Sequence, residues 1–232
     1  MMEPEQPMTI DVLKDLDQLK APPLLEIVHE DPDFVVVDKL SGMLSVPGRG
    51  PEKRDCVAER VREMYPGCPE QPAVHRLDMD TSGLLVVARN VETHRNLSIQ
   101  FQRREIRKRY IALLDGVLEA ESGTIELPFR LDVENRPYQI YDPIHGKVGI
   151  THWRTLSVEA GITRICFNPV TGRTHQLRVH AAHALGLGIP IVGDPLYGRG
   201  TGPGQLKLHA EELGFQHPRS GRALDFRSSP PF

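Results

Sequence analysis

The chain has 232 residues, 39% of them hydrophobic and 25% charged, with a formal net charge of -3. That is enough apolar material for one sizeable core, and it excludes a disordered or low-complexity chain. No stretch approaches the roughly 18 apolar residues of a membrane helix, and the first twenty residues lack the basic start and apolar run of a signal peptide. Three scattered cysteines, Cys56, Cys68 and Cys166, form no CxxC pair and argue against a disulfide framework, so a cytoplasmic location is expected. The acid is unevenly placed. Residues 1–33 carry nine acids against two lysines, which leaves the remaining body mildly basic and compatible with nucleic acid.

In chain order, residues 1–22 read as an acidic, mobile leader, closed by Pro22-Pro23, with the folded domain spanning 23–232. LLEIVHE and FVVVDKL predict a β-hairpin around Asp31-Pro32-Asp33. Asp55 is a candidate cap for a helix to about Tyr65, with Val57, Val61 and Met64 on one face and Pro66-Gly67 stopping it. AVHRL and GLLVVARN predict strands flanking a loop at Asp78–Ser82. Asn90 is placed to cap a helix through about Arg104, burying Leu97 and Phe101. Four further strands follow in RYIALLDG, GTIELPFR, THWRTLSVE and ITRICFNPV, with Gly161 turning the last pair. Thr174 is a candidate cap for a helix through Leu185, ended by Gly186. IPIVGD and LKLHAEELGF predict strands around a Gly-rich loop, Tyr197–Gly204. Runs of strands with few helices predict an α+β fold with a mixed, largely antiparallel sheet.

Three stretches concentrate reactive groups. The first runs from His75 to Gly83, where Arg76, Asp78 and Asp80 interrupt apolar segments; a carboxylate there needs a partner if it is buried, and a surface turn with a local Asp–Arg pair explains the spacing equally well. The second runs from Gly172 to His180. A cation at Arg178, one turn into a helix, opposes the helix dipole and calls for a carboxylate such as Asp78, while a solvated face is the plainer account. The third, Arg103 to Tyr110, is either a helix end that favours cations or a phosphate-binding strip with Tyr110 as a stacking platform. His175, His180 and His183 do not form a metal set: five residues turn a helix about 500°, which leaves His175 and His180 on different faces. The glycines near Tyr197 lack the Lys-Ser/Thr of a P-loop, and Ser82 does not sit in a nucleophile elbow.

In order along the chain, FVVVDKLSGMLSVPG, HRLDMDTSGLLVVA, KRYIALLDG, NPVTGRTHQLRVHAAHALGLGIPIVGDPLYG and LKLHAEELGFQHPRSG resemble the motifs of RluA-type pseudouridine synthases, in the short branch without an S4 domain. The similarity runs from about Leu24 to Phe232. The resemblance implies the pseudouridine synthase fold, with a central active-site cleft and flanking helices. It implies Asp78 as the catalytic aspartate, Tyr110 packed on the target base, and Arg178 paired with Asp78. It implies Arg76 entering the RNA stack and Leu177 lining the pocket, with Lys39, Arg173 and His175 as further RNA-contacting candidates. The implied substrate is structured RNA, large-subunit ribosomal or transfer RNA, acted on by a monomer that needs no metal and no nucleotide cofactor. The reaction moves C1′ of a uridine from N1 to C5 of the uracil. A free aspartate is ionised at neutral pH and can begin it at C1′, C6 or C2′. Two readings compete: a non-catalytic RNA-binding protein on the same fold, and a hydrolase using Asp78 and Asp80 as paired acids.

Overall fold

A computed structural model describes residues 25–232; the expected leader, 1–22, lies outside them. The described chain forms ten strands and three helices. The strands are β1 (Glu26–Glu30), β2 (Phe34–Lys39), β3 (Ser82–Ala88), β4 (Arg107–Leu114), β5 (Ser122–Leu131), β6 (Gln139–Tyr141), β7 (Lys147–Glu159), β8 (Ile162–Pro169), β9 (Leu208–Gln216) and β10 (Ala223–Arg227). The helices are α1 (Val57–Met64), α2 (Val91–Gln102) and α3 (Gln176–Ala182). One sheet holds every strand in the order β1-β2-β3-β9-β4-β8-β7-β5-β6, with β10 beside β9. Every pairing is antiparallel except β3 with β9. This is the α+β, mixed and largely antiparallel sheet that the strand runs predicted.

The β1–β2 hairpin turns where expected, with Asp31 Oδ1 accepting from Asp33 N at 2.8 Å. β2 does not alternate apolar and polar residues because both of its faces are covered. Val35 and Val37 pack with Val57 and Val61 of α1, whereas Phe34 and Val36 pack with Leu97 of α2. Each of these fully buried side chains contributes about 1.5–3 kcal/mol. Asn90 caps α2 as predicted, accepting from Thr93 N at 2.9 Å. The other half of the sheet packs β4, β5, β7 and β8 against α3 around Phe129, Trp153, Ile165 and Phe167.

Several expectations need correction. Cys56, not Asp55, precedes α1; Asp55 instead holds Arg60 at 2.6 Å, and Met64 is exposed. AVHRL is not a strand: a single bridge joins Ala73 to Val87, and the chain then runs as a loop to Thr81. IPIVGD is reduced to one bridge between Ile191 and Leu114, since the chain turns at Gly193 with φ +76°. α3 starts at Gln176 rather than at Thr174 because His175 adopts a left-handed backbone, φ +55°, which no helix continues. It also ends at Ala182, short of Leu185. Strands β6 and β10 lacked a clear apolar run and were not foreseen.

One glycine is decisive for the centre of the sheet. Gly83 has φ +107°, and a Cβ there would stand 2.4 Å from the Ala210 carbonyl oxygen. The close parallel approach of β3 to β9 therefore requires glycine. It brings the loop before β3 to the middle of the molecule.

Candidate active site

The loop Arg76–Thr81 is pinned from below by the segment that follows β2. Lys39 is fully buried, and its ammonium donates to the carbonyls of Leu40, Met43 and Met79 at 2.9, 2.8 and 2.9 Å. Burial pulls its pKa down to about 7, opposed by Asp78, Asp80 and Asp38. The sequence suggested Lys39 as an RNA contact; the structure corrects this, since all three of its donors are spent on backbone beneath the loop. Ser45 Oγ donates to Leu77 O at 2.8 Å and accepts from Leu77 N at 3.0 Å. Ser41 Oγ donates to Asp80 O at 2.6 Å. With the backbone on both sides tied down, Asp78 has little freedom to move.

Facing it is the loop that leads into α3. Gln176 is buried and works as a lock. Its Oε1 accepts from Thr171 Oγ1 at 2.7 Å and from Arg173 N at 3.0 Å, while its Nε2 donates to Ile150 O and Thr151 Oγ1. Arg178, 3% exposed, points back toward the first loop with Nη1 3.6 Å from Asp78 Oδ2. The two candidate stretches are thus brought together. The expected pair of Arg178 with Asp78 is present, but the closer partner of Arg178 is Asp194. Asp194 is fully buried and accepts from Nε at 2.8 Å and from Nη2 at 2.6 Å, in a fork-to-fork geometry. Burial would raise the pKa of Asp194, but the two bonds from Arg178 and its positive charge outweigh that and hold it below the ordinary value. The Asp194 carboxylate also accepts from Leu196 N and Tyr197 N, so it cannot swing away. The sequence signal for Asp194 is slight, a lone acid after Gly193 at the end of the apolar run IPIVGD.

Between the loops lies a cavity of about 90 Å³ whose lining includes Asp78, Tyr110, Leu177, Arg178, His175 and Arg173. Among the described residues Asp78 is the only carboxylate that lines it. Tyr110 sits on β4 at a bulge next to Arg109, facing this space. Burial, and then the negative charge of Asp78, push its hydroxyl pKa far up, so it stays a neutral phenol. Leu177 supplies an apolar wall. His175 Nδ1 lies 2.9 Å from Tyr197 Oη, and burial lowers its pKa, which favours the neutral ring. Arg76 and Arg173 are exposed at the mouth. Arg76 makes no ion pair with Asp78, so the local-pair reading of that turn does not hold.

Two rival chemistries lose their basis. Asp80 is buried and accepts from Gly204 N at 3.1 Å, outside the cavity, so it is not the second acid of a paired-acid hydrolase. The three histidines are dispersed: His180 packs on Phe129, His183 lies against Tyr141, and His175 meets Tyr197. Among the described residues one group, Asp31, Asp33 and His217, has the proximity of a metal set, but Arg219 already binds Asp33 and supplies the countercharge. Among the described residues the site offers one carboxylate with a buried guanidinium beside it, a neutral phenol and an apolar wall, with two more arginines at its mouth.

The sequence model of a family described as RNA pseudouridylate synthase matches residues 33–183. A protein named dual-specificity RNA pseudouridine synthase RluA from Pasteurella multocida is 44% identical over 215 residues, covering 90% of this chain and 95% of its own length. The protein of the same name from Escherichia coli is 41% identical over 215 residues with the same coverage. Among solved structures, human RNA Pseudouridylate Synthase Domain Containing 1 superposes with a TM-score of 0.73 at 30% identity, covering 90% of this chain and 84% of that one. Human RNA Pseudouridylate Synthase Domain Containing 4, at 23% identity and a TM-score of 0.69 over 89% of this chain and 88% of its own, shares the fold.

Proposed function

Since the chain belongs to the RNA pseudouridine synthase family, in its RluA-type branch, we propose that it isomerises uridines in ribosomal and transfer RNA stem-loops through the Asp78 carboxylate. The observation that carries the assignment of Asp78 is its position as the single acid among the described residues lining the cavity, 3.6 Å from a guanidinium that Asp194 holds from behind.

The chemistry suits these groups. The glycosidic bond of a stacked uridine is out of reach, so the nucleotide is extruded at a cost of a few kcal/mol, least in a loop or bulge. Arg76, exposed at the mouth, takes the vacated place in the stack. The uracil enters beside Tyr110, whose neutral ring packs on it without competing for the proton. Asp78 acts on the sugar or the base to break N1–C1′. The uracil turns within the cavity, C5 bonds to C1′, the C5 proton leaves to solvent, and N1 takes up a proton in exchange. No electrons are gained or lost overall. Leu177 and the buried Arg178 keep water from C1′ while the base is detached.

The test uses RNA lacking modifications and labelled with tritium at uracil C5. Forming the C5–C1′ bond must release the label. Wild-type protein is expected to release it and Asp78→Asn to bind the same RNA without release. Turnover by Asp78→Asn near the wild-type rate would remove Asp78 from the mechanism. Fractionating the RNA then identifies the substrates.

A further inference from the structure

Some arginines on the described chain sit against carboxylates: Arg89 on Glu30, Arg130 on Asp142, Arg219 on Asp33. Around one hollow four cations gather with no carboxylate among them. Next to the Asp78 cavity, and sharing Arg76, Lys108, Tyr110 and Arg173 with it, lies a second space of about 460 Å³. Arg76, Arg104, Lys108 and Arg173 line it, and among the described residues no carboxylate does. Among the described residues none of these four side chains has an ion pair or a hydrogen bond. Lys108 feels the crowding: burial first, then Arg104, lower its pKa to about 8. Without a ligand, cations gathered in this way repel one another.

The backbone at Arg104 adds an independent observation. α2 closes with Arg104 N donating to Phe101 O at 3.1 Å and Glu105 N to Gln100 O at 3.0 Å, and Arg104 has φ +61°. This helix ending favours glycine at that position, and any other residue there is strained. Arginine is a poor choice for the turn. What it adds is a guanidinium in the hollow.

We propose that this hollow is a phosphate-binding subsite for the RNA strand flanking the extruded uridine, with Lys108 and Arg104 gripping the phosphodiester oxygens. The inference rests on the function proposed above. A nucleotide drawn into the Asp78 cavity leaves its neighbouring phosphates at the mouth, where Arg76 and Arg173 join the two spaces. Lys108 offers three donors on a compact charge, and Arg104 offers a planar fork matched to phosphate oxygens. Neither has to break a protein ion pair to bind.

The test measures how the affinity for a short fluorescent single-stranded RNA depends on salt. Each phosphate neutralised contributes about 0.7 to the slope of log affinity against log salt, so Lys108→Met and Arg104→Gly should each lower it by about 0.7, and the double variant by about 1.4. Arg104→Gly is also expected to melt no lower than wild type, because the turn is relieved, so its weaker binding cannot be blamed on misfolding. Arg95→Met, on the exposed side of the same helix, is the control for general charge loss. Unchanged slopes in Lys108→Met and Arg104→Gly would overturn the subsite, and so would an equal fall in Arg95→Met. Tritium release by the wild type tests the underlying function separately. Release with unchanged slopes sinks the subsite alone, whereas lowered slopes without release keep a phosphate site and overturn its place beside a reacting uridine.

Discussion

Asp194→Asn should separate the support of the guanidinium from the chemistry of the carboxylate. The change is nearly isosteric, and the remaining carbonyl oxygen can still accept from Leu196 N and Tyr197 N, bonds now held by Oδ1 at 2.8 and 3.1 Å. What disappears is the charge facing Arg178 and the acceptor for its Nε, now 2.8 Å away. Arg178 is then buried with Asp78 as its remaining countercharge, at 3.6 Å. Stranding a buried charge costs about 3–5 kcal/mol. For a domain of this size that lowers Tm by about 6–20 °C, taking 2–4 °C per kcal/mol. Urea unfolding at pH 7.5 measures the loss, and tritium release measures turnover, which should fall because Arg178 is drawn onto Asp78. A cycle with Arg178→Met completes the test: the double variant should recover at least about 2 kcal/mol relative to the sum of the singles, since no charge is left stranded. The pH dependence has a fixed sign. Asp194 is held below its unfolded pKa, so its contribution is present above the ordinary carboxylate range and is lost as pH falls through the folded value. The penalty of the Asn variant must therefore shrink in acid. A cost under about 1 kcal/mol at pH 7.5, with unchanged turnover, would refute the view that Asp194 anchors the site.

Other outcomes follow from the same structure. His180 is fully buried with neither ring nitrogen partnered, and burial lowers its pKa to about 4, so the unfolded chain takes up this proton first as pH falls. Stability should therefore drop between about pH 6.5 and 4 by up to about 1.4 kcal/mol per unit from this group, and His180→Leu should flatten that slope in urea titrations at several pH values. Lys39→Met leaves the carbonyls of Leu40 and Met43 without the ammonium that bonds them and should cost about 2–3 kcal/mol, with kcat falling more than KM rises because the Asp78 loop loosens. An unchanged kcat would show that the loop holds its shape without the lysine. Gly83→Ala should destabilise by at least about 2 kcal/mol, since its Cβ would collide with Ala210 backbone; a Tm equal to wild type would mean that β3 and β9 approach less closely than described.

The parts of the fold that could be read ahead were those whose cause is local. Asn90 caps α2 through a bond to a residue three positions away, and Phe34–Val37 is apolar enough to be a strand in almost any setting. Misreadings arose where distant contacts decide. AVHRL has strand composition, yet it keeps one bridge, Ala73 to Val87, and the Leu77 backbone bonds the Ser45 hydroxyl rather than a ladder. Thr174 is a good cap residue, but the left-handed turn at His175 places the helix start after it. The site divided in the same way. Asp78, Tyr110 and Arg178 were legible through their motifs, and the structure brings them round one cavity. Lys39 was misjudged because a lysine in a motif does not reveal whether it faces solvent or three buried carbonyls. Asp194 was invisible because its partner is a side chain on another element, 16 residues earlier.

The parallel contact between β3 and β9 also has a consequence in time. Ser82 and His209 are separated by 127 residues, and a ribosome adding about 5–20 residues per second needs about 6–25 s to make the intervening chain. Until then β3, buried at all seven positions in the finished protein, presents one unpaired edge of main-chain donors and acceptors. Such an edge is a template for wrong partners. The nascent chain is thus at its most aggregation-prone during that interval, and a substitution that delays the arrival of β9 would show first as lost soluble yield, before any loss of activity per folded molecule.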